Sequence, residues 1–513
     1  MEEASAGHRS RYADLDAELG RVLSARGYTE GKLKRLLGAP PDRAVDPDYA
    51  PLAIRRAAED GSLLAAMAEL LLLGREVEAN RVRAALAPLD LDHLTDAGLL
   101  TRKAEGVRSP LRVLPYEDLL LASDRPGAGT DYDEVTPPGP SARTLASLTI
   151  RRRVRTALDL GGGGGVQGLL LARHADRVVL SDVSPHAREM AALNAALNGI
   201  ENVELRIGDW FEPVAGDRFD VVAANLPYVV SPDMSYVHRD NPMERDSLSR
   251  WVVQRVGEHL TEDGFAHVLC SWVHDRDEGW ERVPLEWVSE TGCDAFILHY
   301  ASHEPLEYAA SWNRPLQRTD PPAFEATIDR WLAYYAEAGV ERIASGAIVL
   351  RRRHAASNWK RPVEVPDAPT GLAGAHVERL FAAQDALASL PGPEALLEER
   401  LKPAPGQRLD QTMLYREGGY VPDAALMRRH PGIGVVARVD PRAMPVIVGC
   451  DGSRPLGELI NRVTQGLGDQ RVEVATLCFA TVRAAFELGL LEPSRQRTEA
   501  RLPRRARQSP VPP

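Results

Sequence analysis

The chain is poor in cysteine and has no long hydrophobic run. Only four cysteines occur in 513 residues, at Cys270, Cys293, Cys450 and Cys478. None belongs to a C-x-x-C pair, so the spacing supports neither a zinc site nor a disulfide framework. Reduced, buried thiols and no metal are expected. The longest apolar stretch, Leu63 to Leu73, is broken by Glu69. It falls short of the roughly 20 apolar residues that cross a bilayer. Met1-Glu2-Glu3-Ala4-Ser5 is acidic and leads into no apolar core of the kind a secretory signal carries. A soluble cytoplasmic protein without membrane contact is expected. An excess of positive charge is missing too, with 62 Lys and Arg against 73 Asp and Glu and a net charge of −11. A non-specific nucleic-acid coat needs clustered cations, so the whole-chain balance argues against one while leaving room for a single basic face.

Hydrophobic residues make up 44% of the chain, enough for a real core. The length suggests about three domains. Residues 1–122 read as mostly helical. Ser62 caps a helix running toward Gly74, Glu78 to Leu86 reads as a second, and Leu94 to Leu100 reads as a helix ending at Gly98 before a strand. With Val107 to Pro115 as hairpin partner, this zone looks like a winged helix. Residues 123–362 alternate strand and helix patterns, as a parallel sheet with helices on both faces requires. Seven strands are predicted, around 154–160, 177–181, 203–207, 219–224, 265–270, 296–300 and 344–350, with a helical insertion at Ala323 to Gly339 before the last. Pro362 to Pro369 reads as a linker. Residues 363–494 read as a second, mostly helical winged-helix-like domain, with helices at Arg454 to Ile460 and Val472 to Leu488. There Leu488-Gly489-Leu490-Leu491 repeats the helix, glycine, Leu-Leu pattern of the first zone. Residues 495–513 read as a basic disordered tail, with contact to RNA or an acidic partner as the alternative.

The strongest local signal is Asp159-Leu160-Gly161-Gly162-Gly163-Gly164-Gly165. Gly161, Gly163 and Gly165 stand in a D-L-G-x-G-x-G frame between a strand and a helix, where glycine permits a tight turn and close approach of backbone to ligand. Such a loop alone also fits a dinucleotide fold. The next two strand ends narrow it. Asp182 closes the second strand, where a carboxylate accepts hydrogen bonds from ribose hydroxyls. Asp209 and Trp210 follow the third strand, placed to meet an adenine amino group and ring. A dinucleotide fingerprint would read G-x-G-x-x-G and predicts nothing special after the fourth strand.

The fourth strand ends in Asn225-Leu226-Pro227-Tyr228. Here the chain resembles the class I amino-methyltransferases whose motif at this place reads N-P-P-Y, the small-domain, HemK-like N-methyltransferases. The resemblance covers about residues 131–275, including Asn194 to Gly199 and Gly208 to Pro213. It implies a Rossmann-like α/β fold with a seven-stranded sheet, S-adenosyl-L-methionine as cofactor, and cofactor contacts at Asp159, Gly161, Gly163, Gly165, Asp182, Asp209 and Trp210. Asn225, Pro227 and Tyr228 would be catalytic. The Asn225 oxygen and a backbone carbonyl would accept the two N–H bonds of a planar amide or amino group and aim its lone pair at the methyl. Pro227 would stiffen the loop and Tyr228 would stack on the acceptor. Leu226 departs from the double proline, and the N-L-P-Y form also occurs in adenine dimethyltransferases of ribosomal RNA.

The acceptor class is left open by these residues. The acidic balance and the large flanking regions favour a protein or peptide, with a nucleobase in RNA as the other macromolecular choice. A small-molecule or peptide natural product is the alternative. It is favoured by Leu226 and by the loop at Asp131 to Ser141, which would take a cationic acceptor or be simply solvated. Cys450 to Ile460 faintly resembles small winged peptide-recognition domains. His238 reads as an exposed histidine in a loop over the pocket, with a catalytic role as the sharper reading. A non-catalytic protein that keeps the fold is opposed by the intact set of Asp159, Asp182, Asp209, Asn225 and Tyr228.

Overall fold

A computed structural model describes residues 13–125, 133–233, 239–240 and 243–494. The expected basic tail at 495–513, Asp131-Tyr132 and His238 lie outside the described residues. The chain divides into two compact units, Met1–Ala368 and Pro369–Pro513. No described helix is long and apolar enough to cross a membrane. The four cysteines are buried, free thiols.

The first unit begins with helices α1 (Ala13–Ala25), α2 (Glu30–Leu37), α3 (Pro41–Ala44), α4 (Ala50–Asp60), α5 (Leu63–Met67), α6 (Ala79–Leu86) and α7 (Leu91–Asp96). The Ser62 hydroxyl accepts the Ala65 N–H and caps α5, and Gly98 takes the left-handed turn after α7. The helix from Ser62 continues through one π turn, Ala68–Leu72. Two hairpins follow, β1 (Thr101–Arg102) with β2 (Val107–Arg108) and β3 (Leu111–Tyr116) with β4 (Leu119–Asp124).

The alternating region supplies α8 (Pro140–Leu148), β5 (Val154–Leu160), α9 (Val166–Leu171), β6 (Ala175–Asp182), α10 (Pro185–Leu197), β7 (Val203–Ile207) and β8 (Phe219–Ala224). It continues with α11 (Ser247–Val256), β9 (Leu260–His274), α12 (Arg282–Val288) and β10 (Cys293–His303). The insertion is α13 (Pro305–Trp312), α14 (Arg314–Thr319) and α15 (Pro321–Glu337), and β11 (Arg342–Arg352) and β12 (Lys360–Glu364) close the unit.

One sheet runs β12-β10-β11-β9-β8-β5-β6-β7. β5 to β9 are mutually parallel, and β11 is antiparallel to both β9 and β10. The seven predicted strands are all present. The eighth, β12, occupies residues that read as the start of a linker. It is an edge strand paired only with β10, a place where Pro362 is tolerated because an edge N–H need not join the ladder. The central strands are buried nearly throughout, as parallel strands covered on both faces must be. Strand order reverses between β5 and β8, which opens a crevice at their carboxyl ends.

The boundary expected near residue 122 falls inside the first unit. The N-terminal helices and α10 share one apolar core in which Leu19, Leu23 and Leu33 pack with Ala187, Met190 and Leu197. α1 lies so close to the end of α10 that a Cβ on Gly20 would stand 1.8 Å from the Leu197 carbonyl oxygen. Two asparagines then join α10 to β4. Asn194 exchanges hydrogen bonds with the Ala122 backbone (2.6 and 3.0 Å). Asn198 does the same with Leu120 (2.8 Å each). Spaced one helical turn apart, their amides stand in for a neighbouring strand.

The second unit holds α16 (Gly374–Ala388), β13 (Leu401–Pro403), β14 (Gln407–Arg416), β15 (Gly419–Arg429), β16 (Ala437–Val439), α17 (Met444–Gly449), α18 (Leu456–Thr464), α19 (Arg471–Glu487) and β17 (Leu491–Pro493). The two predicted helices appear as α18 and α19. Gly489 turns left-handed after α19, and β17 pairs with β13. The long β14–β15 hairpin departs from the mostly helical expectation. Most of its residues are exposed on both faces, so no one-sided alternation announces it.

Candidate active site

A cavity of about 730 Å³ opens at the carboxyl ends of β5, β6, β7 and β8. The ladder sets its floor. Leu160 is level with Ser181 on one side and with Ala224 on the other. The residues that follow, Gly161, Asp182 and Asn225, therefore leave the sheet at one height. All three line the cavity, together with Gly163, Asp209, Trp210 and Pro227.

The glycine loop is held from behind. The N–H groups of Gly161 and Gly162 donate to the Ser181 carbonyl (2.9 and 3.0 Å). Gly163 has φ +53°, and a Cβ there would meet no protein atom within 4 Å. A side chain would project into open space beside a loop that lines the cavity, where glycine lets a ligand approach the backbone closely. The Asp182 carboxylate accepts from Gly163 N–H (2.8 Å) and Ser184 N–H (2.9 Å). Burial raises its pKa above the ordinary value, opposed by the N–H groups of Ser184, Gly163 and Val183. The carboxylate keeps acceptor capacity for a ligand hydroxyl. Asp209 sits at the exposed rim, its pKa raised by desolvation and then by Glu212. Its neighbour Trp210 is held at φ +46°, uncommon for a bulky side chain, and packs near Trp251 with ring centroids 6.1 Å apart.

Asp159 and Gly165 are not part of the lining. Asp159 is fully buried behind the loop and accepts the Gly168 N–H at 2.7 Å, tying the first turn of α9 to β5. Burial lifts its pKa to about 7, against the lowering by that N–H. Gly165 is the left-handed residue from which α9 starts. Both shape the cradle from outside the cavity.

On the β8 side, Asn225 lies on the wall with its Nδ2 donating to Ser141 Oγ at 3.4 Å. Tyr228 stands one step back. It is half-buried and absent from the lining, and its ring meets Trp312 edge-on at 6.4 Å. Burial pushes the Tyr228 pKa up. The loop beyond is anchored by the insertion. Tyr308 Oη accepts the Val230 N–H (3.3 Å), and Tyr335 Oη donates to the Val230 carbonyl (2.8 Å). Trp331 Nε1 donates to Asp233 (2.9 Å). Arg239 pairs with Asp240 at 2.6 Å.

The remaining wall comes from residues 133–142. Ser184 caps α10 and donates to Asp133 (3.3 Å). Asp124 accepts the Val135 N–H (2.8 Å) and bonds His186 (2.7 Å). Asn194 Nδ2 reaches the Gly164 carbonyl (2.9 Å), linking β4, α10 and the glycine loop. Sequence reasoning passed over Ser184 and Met243 as site residues and reached Ser141 only as the end of the Asp131 to Ser141 loop. In the structure Ser141 falls in a helix start with proline at its first position. Asp133, Glu134, Asp182, Asp209 and Asp240 all line the cavity, and no Lys or Arg does among the described residues. Nor do the described residues hold a metal-binding group of three His, Cys, Asp or Glu.

Residues 153–259 match a family model described as a methyltransferase domain. Residues 25–110 match one described as a domain of unknown function, DUF7059. The chain is 32% identical over 231 residues to the release factor glutamine methyltransferase of Geobacter sulfurreducens, covering 41% of this chain and 75% of that protein. It is 30% identical over 165 residues to the ribosomal protein uL3 glutamine methyltransferase of Bradyrhizobium diazoefficiens, covering 29% of this chain and 51% of the other. With the release factor glutamine methyltransferase of Xylella fastidiosa it shares 34% over 116 residues, 21% of this chain and 42% of that one. The chain thus spans about half the length of the last two relatives.

Proposed function

The chain belongs to the family of the release factor glutamine methyltransferases, and we propose that it transfers a methyl group from S-adenosyl-L-methionine to the amide nitrogen of a protein glutamine. The observation that carries this reading is that Asn225 lines the same cavity as the Gly163 cradle and Asp182. Asp182 would hold the ribose hydroxyls, Asp209 the adenine amino group, and Trp210 one face of the ring. The bound cofactor supplies an electrophilic methyl on a sulfonium.

An amide nitrogen is a poor nucleophile because its lone pair is delocalised into the carbonyl. Asn225 Oδ1 and the Leu226 carbonyl would accept its two N–H bonds. That turns the lone pair toward the methyl and favours the positive charge that grows on nitrogen during transfer. Charge balance requires the nitrogen to lose one proton once the N–C bond has formed. Pro227 limits the freedom of the loop that does this work. The flanking regions, 1–122 and 363–494, are the candidates for gripping a macromolecular acceptor.

The charge of the lining supports a protein over RNA. Among the described lining residues, five carboxylates and no Lys or Arg offer a phosphate backbone little to bind, whereas a neutral amide carries no such need. The same carboxylates suit an amine-bearing small molecule, which is the second reading. Incubation of the purified chain with tritiated S-adenosyl-L-methionine and, separately, unmethylated release factor, ribosomal protein, RNA and a small-molecule extract separates these. Label in a protein glutamine is expected. Label confined to RNA or to small molecules overturns the protein reading.

A further inference from the structure

The long hairpin of the second unit carries its core face beyond the core. Directly opposite residues share a face of the sheet. The register therefore puts Gln411, Met413 and Tyr415 of β14 on one face with Ala425, Pro422 and Tyr420 of β15. A bulge at Asp423 keeps the outer part of β15 in phase with Ala425. At the base this face is covered, since Ala425 is buried in the core of the unit and β16 pairs β15 from Ala425 to Met427. Toward the tip it is bare. Met413 is 45% exposed, Tyr415 61% and Tyr420 71%, and the two tyrosine rings meet edge-on at 5.4 Å. A two-stranded ribbon is marginal in water without a further strand or a covering layer. Among the described residues β14 pairs with β15 alone, so its outer backbone edge is open to another strand.

The charges of β14 identify the strand that fits. Two copies of β14 laid antiparallel about a two-fold axis at Met413 set Asp410 opposite Arg416 on both sides of the axis. Residues equally distant from Met413 lie on one face, so the two bare faces join. An axis at Thr412 would set Arg408 against Arg416, and like charges directly opposite are unfavourable; an axis at Gln411 pairs no opposite charges. Asp410 already meets Arg428 of its own hairpin through Oδ2 (3.1 Å), and a carboxylate has capacity for a second guanidinium. Tyrosine and methionine are enriched at the centres of protein interfaces. We propose that the β14 edge is a dimerisation surface, on which a second copy of the chain adds its own β14 antiparallel through Met413. The two hairpins then form a four-stranded ribbon with one shared apolar face. This inference is independent of the acceptor reading.

Sedimentation velocity of the full chain at micromolar concentration tests it. Wild type is expected at twice the mass of one chain. Met413→Lys and Met413→Glu each set like charges against one another on the axis, and each alone is expected at the mass of one chain. Mixed in equal amounts, they set a lysine against a glutamate and restore the double mass. Melting followed by circular dichroism checks that both variants are folded. Wild type at the mass of one chain overturns the proposal. So does a dimer that both variants leave intact, and so does a mixture of folded variants that stays at one-chain mass. Met413→Cys adds no charge and serves if either charged variant fails to fold. The four native thiols are buried. Oxidation by air with copper phenanthroline should therefore join two chains through one disulfide at the axis, where facing residues lie within disulfide reach. A Met413→Cys chain that stays single on non-reducing electrophoresis overturns the proposal as well.

Discussion

Along β5, β6 and β7 the cavity is bounded by glycine backbone and carboxylates that support one another over short stretches of chain. Asp182 accepts from Gly163 only 19 residues away, and from Ser184 two residues on. Across the cavity, at the end of β8, Asn225 and its loop hang on distant groups. Ser141 is 84 residues removed, Tyr308 78 and Tyr335 105. The first side rests on a turn and strand ends, with Asn194 and Asp133 as its more distant supports. The second exists only when α8, the sheet and the inserted helices have packed. A change on one side should therefore leave the other largely intact, and remote substitutions should reach the acceptor side first.

The sharpest way to break that contrast is Asn225→Ala. Removal of one preorganised polar group at the reacting centre costs about 100- to 1,000-fold in kcat in comparable cases. Titration calorimetry should return a cofactor Kd within about twofold of wild type, since energetically independent sites behave additively. Loss of cofactor binding in this variant would mean that the two sides are one unit. The converse is Gly163→Val. A branched side chain would occupy the open space beside the loop and be forced to a positive φ. Strain of that kind costs about 1–3 kcal/mol, and its relief by leaving the cradle conformation should lower cofactor affinity about 5- to 150-fold. Unchanged affinity would remove the loop from the cofactor side.

A smaller effect tests the remote supports. Tyr335→Phe deletes only the hydroxyl that serves the buried Val230 carbonyl at 2.8 Å. An unsatisfied buried acceptor costs about 1–3 kcal/mol. The melting temperature should fall by a few degrees and kcat several-fold, while cofactor Kd stays put. A normal kcat in a destabilised Phe variant would show that the insertion stabilises the loop without aiming it.

The same contrast explains what could be read from the chain. Asp159 to Gly165, Asp182 and Asp209-Trp210 stand at strand ends, and a period-two or apolar-run pattern locates strand ends well. Seven strands and the cradle followed from that. Asn225-Leu226-Pro227-Tyr228 was visible as a motif, but its supports were not, because Ser141, Tyr308 and Tyr335 carry no local sign of where they will point. Ser141 looks like an ordinary early helical residue and Tyr335 like one more aromatic on α15. The β14–β15 hairpin escaped for a different reason, since strands exposed on both faces lack the alternation that marks a buried face. The β12 edge escaped because Pro362 reads as punctuation until a neighbour is available on one side only.

Asp159 provides the mildest test and addresses whether an acid named by the motif touches the ligand or only the frame. It is buried behind the loop with Gly168 N–H as its partner. Its pKa of about 7 stands above the ordinary 3.8. The folded chain therefore keeps this proton up to about pH 7, whereas the unfolded chain releases it near 3.8. Folding binds a proton between those values, so this residue's contribution to stability falls as pH rises through that window and is level above it. Asn at this position has no proton to lose, and its Oδ1 can still accept from Gly168. Asp159→Asn should flatten the dependence of melting temperature on pH between about pH 5 and pH 8, with the gain over wild type largest at the upper end. Cofactor Kd should change little. A tenfold loss of cofactor affinity with an unchanged pH profile would place Asp159 among the ligand contacts and make the cofactor side deeper than its visible lining.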